Sequence, residues 1–61
     1  MIYKVSFQYS EMTYCTNLAM ADNLDKVHEK YNKYRWHNVT EATYGDLAEA
    51  KQKGMPIIEI A

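Results

Sequence analysis

Residues 2–9 alternate: Tyr3, Val5, Phe7 and Tyr9 share one side, and Ile2, Lys4, Ser6 and Gln8 share the other. A period of two in aromatic and β-branched residues predicts a strand with one buried face, the side that holds Tyr3 and Tyr9. After Ser10-Glu11, the segment Met12–Leu18 is rich in Thr, Tyr and Cys. It suits a second strand, and the short gap predicts a hairpin. That gap has neither Gly nor Asn-Gly, so its turn type and register stay open. Then the period changes. Leu24, Val27, Tyr31 and Tyr34 recur at helical spacing and predict a helix over about 23–34. Asp22 is placed to cap it, and Asp25 suits the positive end of its dipole.

Arg35–Ala42 has no helical stripe and contains Val39 and Thr40, which predicts a third strand. Thr43 resembles a second cap, with Asp46 three residues on. Tyr44–Lys53 then reads as a short helix with Leu47, Ala48 and Ala50 inward. Gly54 stands where a left-handed residue ends a helix, and Lys51 and Lys53 lie in the last turn, as the dipole prefers. After Met55-Pro56, the run Ile57, Ile58, Ile60 suits a final strand. The expected fold is one small α+β domain over 1–61, in ββαβαβ order. A mostly antiparallel four-stranded sheet is packed by two short helices. A crossover from the third strand to the fourth is near the minimum length for adjacent parallel pairing. The last strand's place in the sheet is therefore open.

A chain of 61 residues buries only about 60% of its unfolded surface. Its expected stability is roughly 3–5 kcal/mol. The 48% apolar and 25% charged fractions belong to a folded chain rather than a disordered one. A single cysteine, Cys15, excludes an intrachain disulfide and fits a reducing cytosol. No signal-type apolar run opens the chain, and no stretch approaches membrane-spanning length. A cytoplasmic protein with no membrane partner is expected.

Charge is segregated. Residues 26–37 carry four positive charges and one negative, while the rest of the chain is acidic and the whole is −1. Within that stretch, Lys30–His37 interleaves Lys30, Lys33 and Arg35 with Tyr31, Tyr34 and Trp36. Read functionally, Lys26, Lys30 and Lys33 share a helix face that tracks phosphates, and Tyr34 or Trp36 stacks on a base. Read structurally, the cations complement a helix C-terminus, Tyr31 and Tyr34 complete an apolar stripe, and Trp36 is buried. The structural reading is preferred, since a nucleic-acid domain is usually basic overall.

Catalytic constellations are missing from the sequence. His28, His37 and Cys15 supply neither the number nor the spacing of a structural zinc site. Cys15 sits mid-strand, where a free cysteine behaves as a small hydrophobe unless a base is within reach. The carboxylates are dispersed, and the only glycines, Gly45 and Gly54, form no phosphate loop. No enzyme, cofactor or metal is expected. Six tyrosines in so short a chain exceed what its core can enclose with every hydroxyl satisfied. Exposed Tyr14 and Tyr44, beside Met12 and Met20, would make an adhesive patch. They equally suit a thin core with wet hydroxyls at its rim.

The segments IYKVSFQYSEMTY, ADNLDKVHEKY and AKQKGMPIIEI resemble small accessory proteins of Firmicutes phages and mobile elements. The resemblance covers most of the chain and includes no diagnostic motif. It implies a protein that acts by binding, in the manner of those members that block CRISPR or other defence complexes by covering a surface. The near-zero net charge argues against imitation of DNA. The leading expectation is thus a non-enzymatic protein-binding module, an anti-CRISPR or other anti-defence inhibitor in its most specific form. Its candidate contact residues are Tyr14, Lys30, Lys33, Arg35, Trp36 and Tyr44. The alternative is a nucleic-acid-binding module using Lys26, Lys30, Lys33 and Arg35. Homodimerisation through a sheet edge is also open.

Overall fold

A computed structural model describes residues 1–60. Strands β1 (Ile2–Ser10) and β2 (Thr13–Met20) form the expected antiparallel hairpin, with Val5 opposite Asn17 and Phe7 opposite Cys15. Strand β3 (His37–Glu41) pairs antiparallel with the other side of β1, Val39 opposite Val5. Strand β4 (Ile57–Glu59) runs parallel to β2, Ile57 opposite Leu18. Helices α1 (Leu24–Tyr31) and α2 (Tyr44–Lys53) complete the ββαβαβ order. The sheet is mixed, in the order β3-β1-β2-β4.

The third and fourth strands do not pair. They are the two outer strands, and α2 carries the chain across the full width of the sheet. This arrangement relieves the tight crossover, because the strand reached is two places further away. It also fixes where the helices sit. Strands β2, β3 and β4 point the same way; the chain moves one way across the sheet through α1 and back through α2. With the right-handed crossovers that α/β units adopt, two such opposed moves put the helices on opposite faces.

The contacts agree. On one face, Val27 and Tyr31 of α1 join Tyr3, Val5, Phe7 and Ala19 in the main core. Val5 and Val27 are wholly buried, and the Phe7 ring lies 5.1 Å from that of Tyr31. Asn17 Nδ2 donates to the Tyr31 hydroxyl at 3.2 Å, so this inward tyrosine is satisfied. On the other face, Ala50 of α2 is buried, Leu18 of β2 is buried beneath it, and Lys4 Nζ reaches Asp46 Oδ1 at 3.3 Å. Among the described residues, no helix is long and apolar enough to cross a membrane.

Helix α1 departs from its sequence reading at both ends. Asn23, not Asp22, is the cap: its side chain accepts from the Lys26 N–H at 3.1 Å, while Asp22 pairs with Lys26 Nζ. The helix ends at Tyr31, and Leu24 is exposed rather than inward. Tyr34 nonetheless packs on Phe7, ring centroids 4.6 Å apart, because the turn after Asn32 swings it back toward the core. Helical spacing and burial thus coincide at Tyr34 without a helix.

Helix α2 matches its reading at both ends. Thr43 and Asp46 form a reciprocal capping box, and Gly54 closes the helix at φ 71°, a left-handed conformation that glycine adopts without Cβ strain. Ala48 is the exception, since it is exposed while Ala50 faces the sheet. The Thr43 backbone N–H, and then Lys4, hold the Asp46 carboxyl below its ordinary value of 3.8. A carboxyl depressed in the folded state contributes stability above its unfolded value and loses it as pH falls through the folded one. Stability is expected to be level above about pH 5 and to fall below about pH 4. Asp46→Asn should flatten part of that acid limb, and Thr43→Ala should cost about 1 kcal/mol at neutral pH. Urea titrations at several pH values check both; an unchanged acid limb in Asp46→Asn would discount the box as its source.

Candidate functional site

The hairpin end of the sheet gathers most of what the sequence marks as adhesive. Trp36 immediately precedes β3, and its backbone carbonyl accepts from the Gln8 N–H at 2.9 Å. Tyr14 lies opposite Gln8 on β2. One row across the sheet therefore reads Trp36, Gln8, Tyr14. Strand parity turns all three side chains to the face that carries α2. Helix α2 packs further along, at Lys4 and Leu18, and leaves this end uncovered. Tyr14 and Trp36 meet over it edge to face, with ring centroids 6.0 Å apart and planes at 75°. They stay 65% and 45% exposed. In the next row, the Ser6 and Thr16 hydroxyls lie 3.4 Å apart, also exposed. The result is an open sheet surface with hydrogen-bonding side chains and an aromatic pair at its edge.

Two further residues join this end, Met12, expected beside Tyr14, and Tyr9, expected in the core. Tyr9 was expected inward, but the β1–β2 register slips by one residue at Tyr9, between Gln8 and Ser10. An extra residue in one strand breaks the alternation and bends the strand, and Tyr9 is 66% exposed. Met12, at the hairpin turn, is 88% exposed. A groove of about 370 Å³ runs between the hairpin and the segment that joins α1 to β3, with Tyr9, Lys33, Tyr34 and Arg35 on its walls. Lys33 Nζ sits 5.4 Å from the centre of the Tyr34 ring, a cation–π contact. Neither Lys33 nor Arg35 makes an ion pair among the described residues.

Lys30 and Tyr44 lie elsewhere. Lys30 and Lys26 line a depression together with Glu59 and Ile60, at the far side of α1. Tyr44 is 92% exposed at the start of α2, beside Ile2 and Leu47 at the opposite end of β1. Gln8 is six residue steps along the strand from Ile2, roughly 20 Å. Of the six candidates, Tyr14 and Trp36 share the α2 face of the hairpin end, and Lys33 and Arg35 line the groove at the same end, with Lys33 against Tyr34 on the α1 side.

The remaining reactive side chains divide into two groups. Cys15 lies in β2 opposite Phe7 and packs against the main core. The two histidines meet each other: His28 Nδ1 and His37 Nε2 are 2.8 Å apart across the seam between α1 and β3. No sequence pattern announces that contact, since nine residues and a change of element separate them. Among the described residues, no cluster of three or more His, Cys, Asp or Glu is placed to hold a metal. No protein family, curated protein or solved structure gives a significant match to this chain.

Proposed function

We propose that this protein is a non-enzymatic binding module that docks the hairpin end of its sheet on an acidic surface of another protein. One observation carries the reading. Tyr14 and Trp36 are paired and exposed on an uncovered sheet face, at the same end of the sheet as Lys33 and Arg35, which have no ion-pair partner among the described residues. Rigid aromatics with a polar tip, and arginine beside them, are enriched at the contact centres of protein interfaces, with charge at the rim. The unpaired cations supply the sign of the partner's surface.

The shifted ionisations support the non-enzymatic part. Asp46 is lowered by its capping box and Lys4, and Glu49 by Lys53, whose Nζ lies 2.7 Å from Glu49 Oε1. A carboxyl held more firmly ionised by a cap or an ion pair is structural, whereas proton transfer near neutrality wants one raised. The nucleic-acid alternative is weakened by the same geometry. Lys26 is tied to Asp22, Lys30 lines a depression shared with Glu29 and Glu59, and Lys33 lies beyond the helix, so the lysine ridge is interrupted. The narrower version, inhibition of a CRISPR or restriction complex by a phage or mobile-element protein, is supported by the sequence resemblance alone. An interference panel that shows no protection would remove that version and leave the binding module standing.

The binding reading is tested by a photo-crosslinking residue placed at Tyr14, Trp36 or Tyr44 in cells that make the protein. A discrete adduct is expected from the first two positions and none from Tyr44. Adducts from Tyr44 alone, or from no position, would overturn the assignment of the surface.

A further inference from the structure

We infer that His28 and His37 form a two-imidazole site for a divalent transition metal of tetragonal preference, copper(II) or nickel(II). The rings lie 5.0 Å apart between centroids with their planes at 63°, and the facing nitrogens are His28 Nδ1 and His37 Nε2 at 2.8 Å. Nitrogens bound to one ion at about 2.0–2.1 Å stand about 2.8–3.0 Å apart at a right angle. At a tetrahedral angle the same bonds put them about 3.3–3.4 Å apart. The present separation is that of the hydrogen bond between the rings, and it brings both nitrogens within the span of neighbouring ligands of a tetragonal ion, the geometry of copper(II) and nickel(II). Imidazole is a suitable donor for these ions, and copper(II) stands highest in their affinity order.

The tautomers fit. In the present contact one facing nitrogen donates and the other accepts. A metal requires both to be bare, and a neutral imidazole achieves this by carrying its proton on the far nitrogen, His28 Nε2 or His37 Nδ1. His28 is exposed and His37 half-buried, so one side of the pair is open and water completes the coordination. Asp25 lies one turn before His28 on α1, and Glu41 lies four residues after His37 on the same side of β3. Asp25 is a nearby carboxylate of favourable sign, not a ligand, whereas Glu41 stands roughly 13 Å along the strand, too far to act on the pair. The site also has a place in the fold. His28 and His37 bracket the segment that carries Lys33, Arg35 and Trp36, so a bound ion closes that segment at its base. This inference stands independently of the partner-binding reading.

The test titrates the intact protein with nickel(II), copper(II) and zinc(II) separately. The readouts are the unfolding midpoint, the ring resonances for diamagnetic zinc, and the electron paramagnetic resonance spectrum for copper. Saturating nickel(II) is expected to raise the midpoint by at least about 5 °C. The copper spectrum should show splitting from two nitrogens, with affinity in the order copper, nickel, zinc. His28→Gln and His37→Gln are expected to weaken binding at least about tenfold each, since losing a ligand costs no less than losing its outer-shell support. In chelator both variants should melt close to the parent, which separates lost binding from lost fold. Binding unchanged in both variants would place the ion elsewhere, for instance on the terminal amine. That result, or no binding below about 1 mM, overturns the site.

Discussion

Replacing Phe7 by alanine is expected to unfold most of the protein at room temperature. Phe7 is buried, and its ring is packed between those of Tyr31 and Tyr34 at 5.1 and 4.6 Å. Truncating a buried phenylalanine to alanine costs about 3–5 kcal/mol, the lost transfer energy plus the cavity left behind. A domain of this size has about 3–5 kcal/mol to lose. Loss and stability are therefore of similar size, and the cooperative transition should vanish from a circular dichroism melt. Phe7→Leu keeps most of the volume and should lose under about 1.5 kcal/mol. The pair isolates packing from hydrophobicity. If Phe7→Ala melts cooperatively within a few degrees of the parent, the main core does not depend on this ring, and the packing argument fails.

The same residue shows why some of the fold was legible in the sequence. Alternation places Tyr3, Val5 and Phe7 inward because a strand's period is a local property, and the structure buries all three. The whole of α2 is legible because its signals sit at its ends: Thr43 and Asp46 start it, and Gly54 stops it. At α1 the signals are ambiguous. Asp22 and Asn23 are both good caps, and only the chain's path chooses Asn23. Tyr34 carries the helical stripe onward for a reason that is tertiary, its seat on Phe7. Strand β4 is least legible. Nothing in Ile57–Ile60 says whether it joins β2 or β3, because strand pairing over that distance is set by the whole sheet.

Legibility of the candidate surface divides the same way. Composition singles out Tyr14 and Trp36, but their contact depends on two registers at once. Gln8 must face Tyr14 on one side and Trp36 on the other. The slip at Tyr9 is invisible in an unbroken alternation. The His28–His37 contact needs α1 to end three residues early and β3 to begin two residues late relative to the sequence reading. Each missed feature is a product of register, not of residue type.

Truncating Trp36 or Tyr14 to alanine is expected to weaken partner binding by roughly 2–4 kcal/mol, about 30- to 1,000-fold, while leaving the protein folded. The two effects separate because neither side chain belongs to the main core: Tyr14, 65% exposed, lends chiefly its edge-to-face contact, about 0.5–1.5 kcal/mol, and Trp36, 45% exposed, lends more through its covered half. Against a partner, the same rings would be desolvated on their open faces as well, where hot-spot energies arise. Trp36 is the only tryptophan, so its fluorescence reports docking directly: burial by the crosslinked partner should shift its emission to shorter wavelength. Tyr44→Ala is the control. It removes a more exposed tyrosine from the other end of the sheet and should leave affinity within about 0.5 kcal/mol. Charge adds a separate signature. Lys33→Glu and Arg35→Glu should slow association and reduce its salt dependence, since they remove the long-range attraction and not the contact. Because Tyr14 and Trp36 touch, their losses should not add, and a double-mutant cycle should return a coupling of at least about 0.5 kcal/mol. Full affinity in the Tyr14→Ala/Trp36→Ala double variant would show that the exposed pair is ordinary surface. The partner would then have to be sought at the Tyr44 end, where Ile2 and Leu47 line a depression of about 520 Å³.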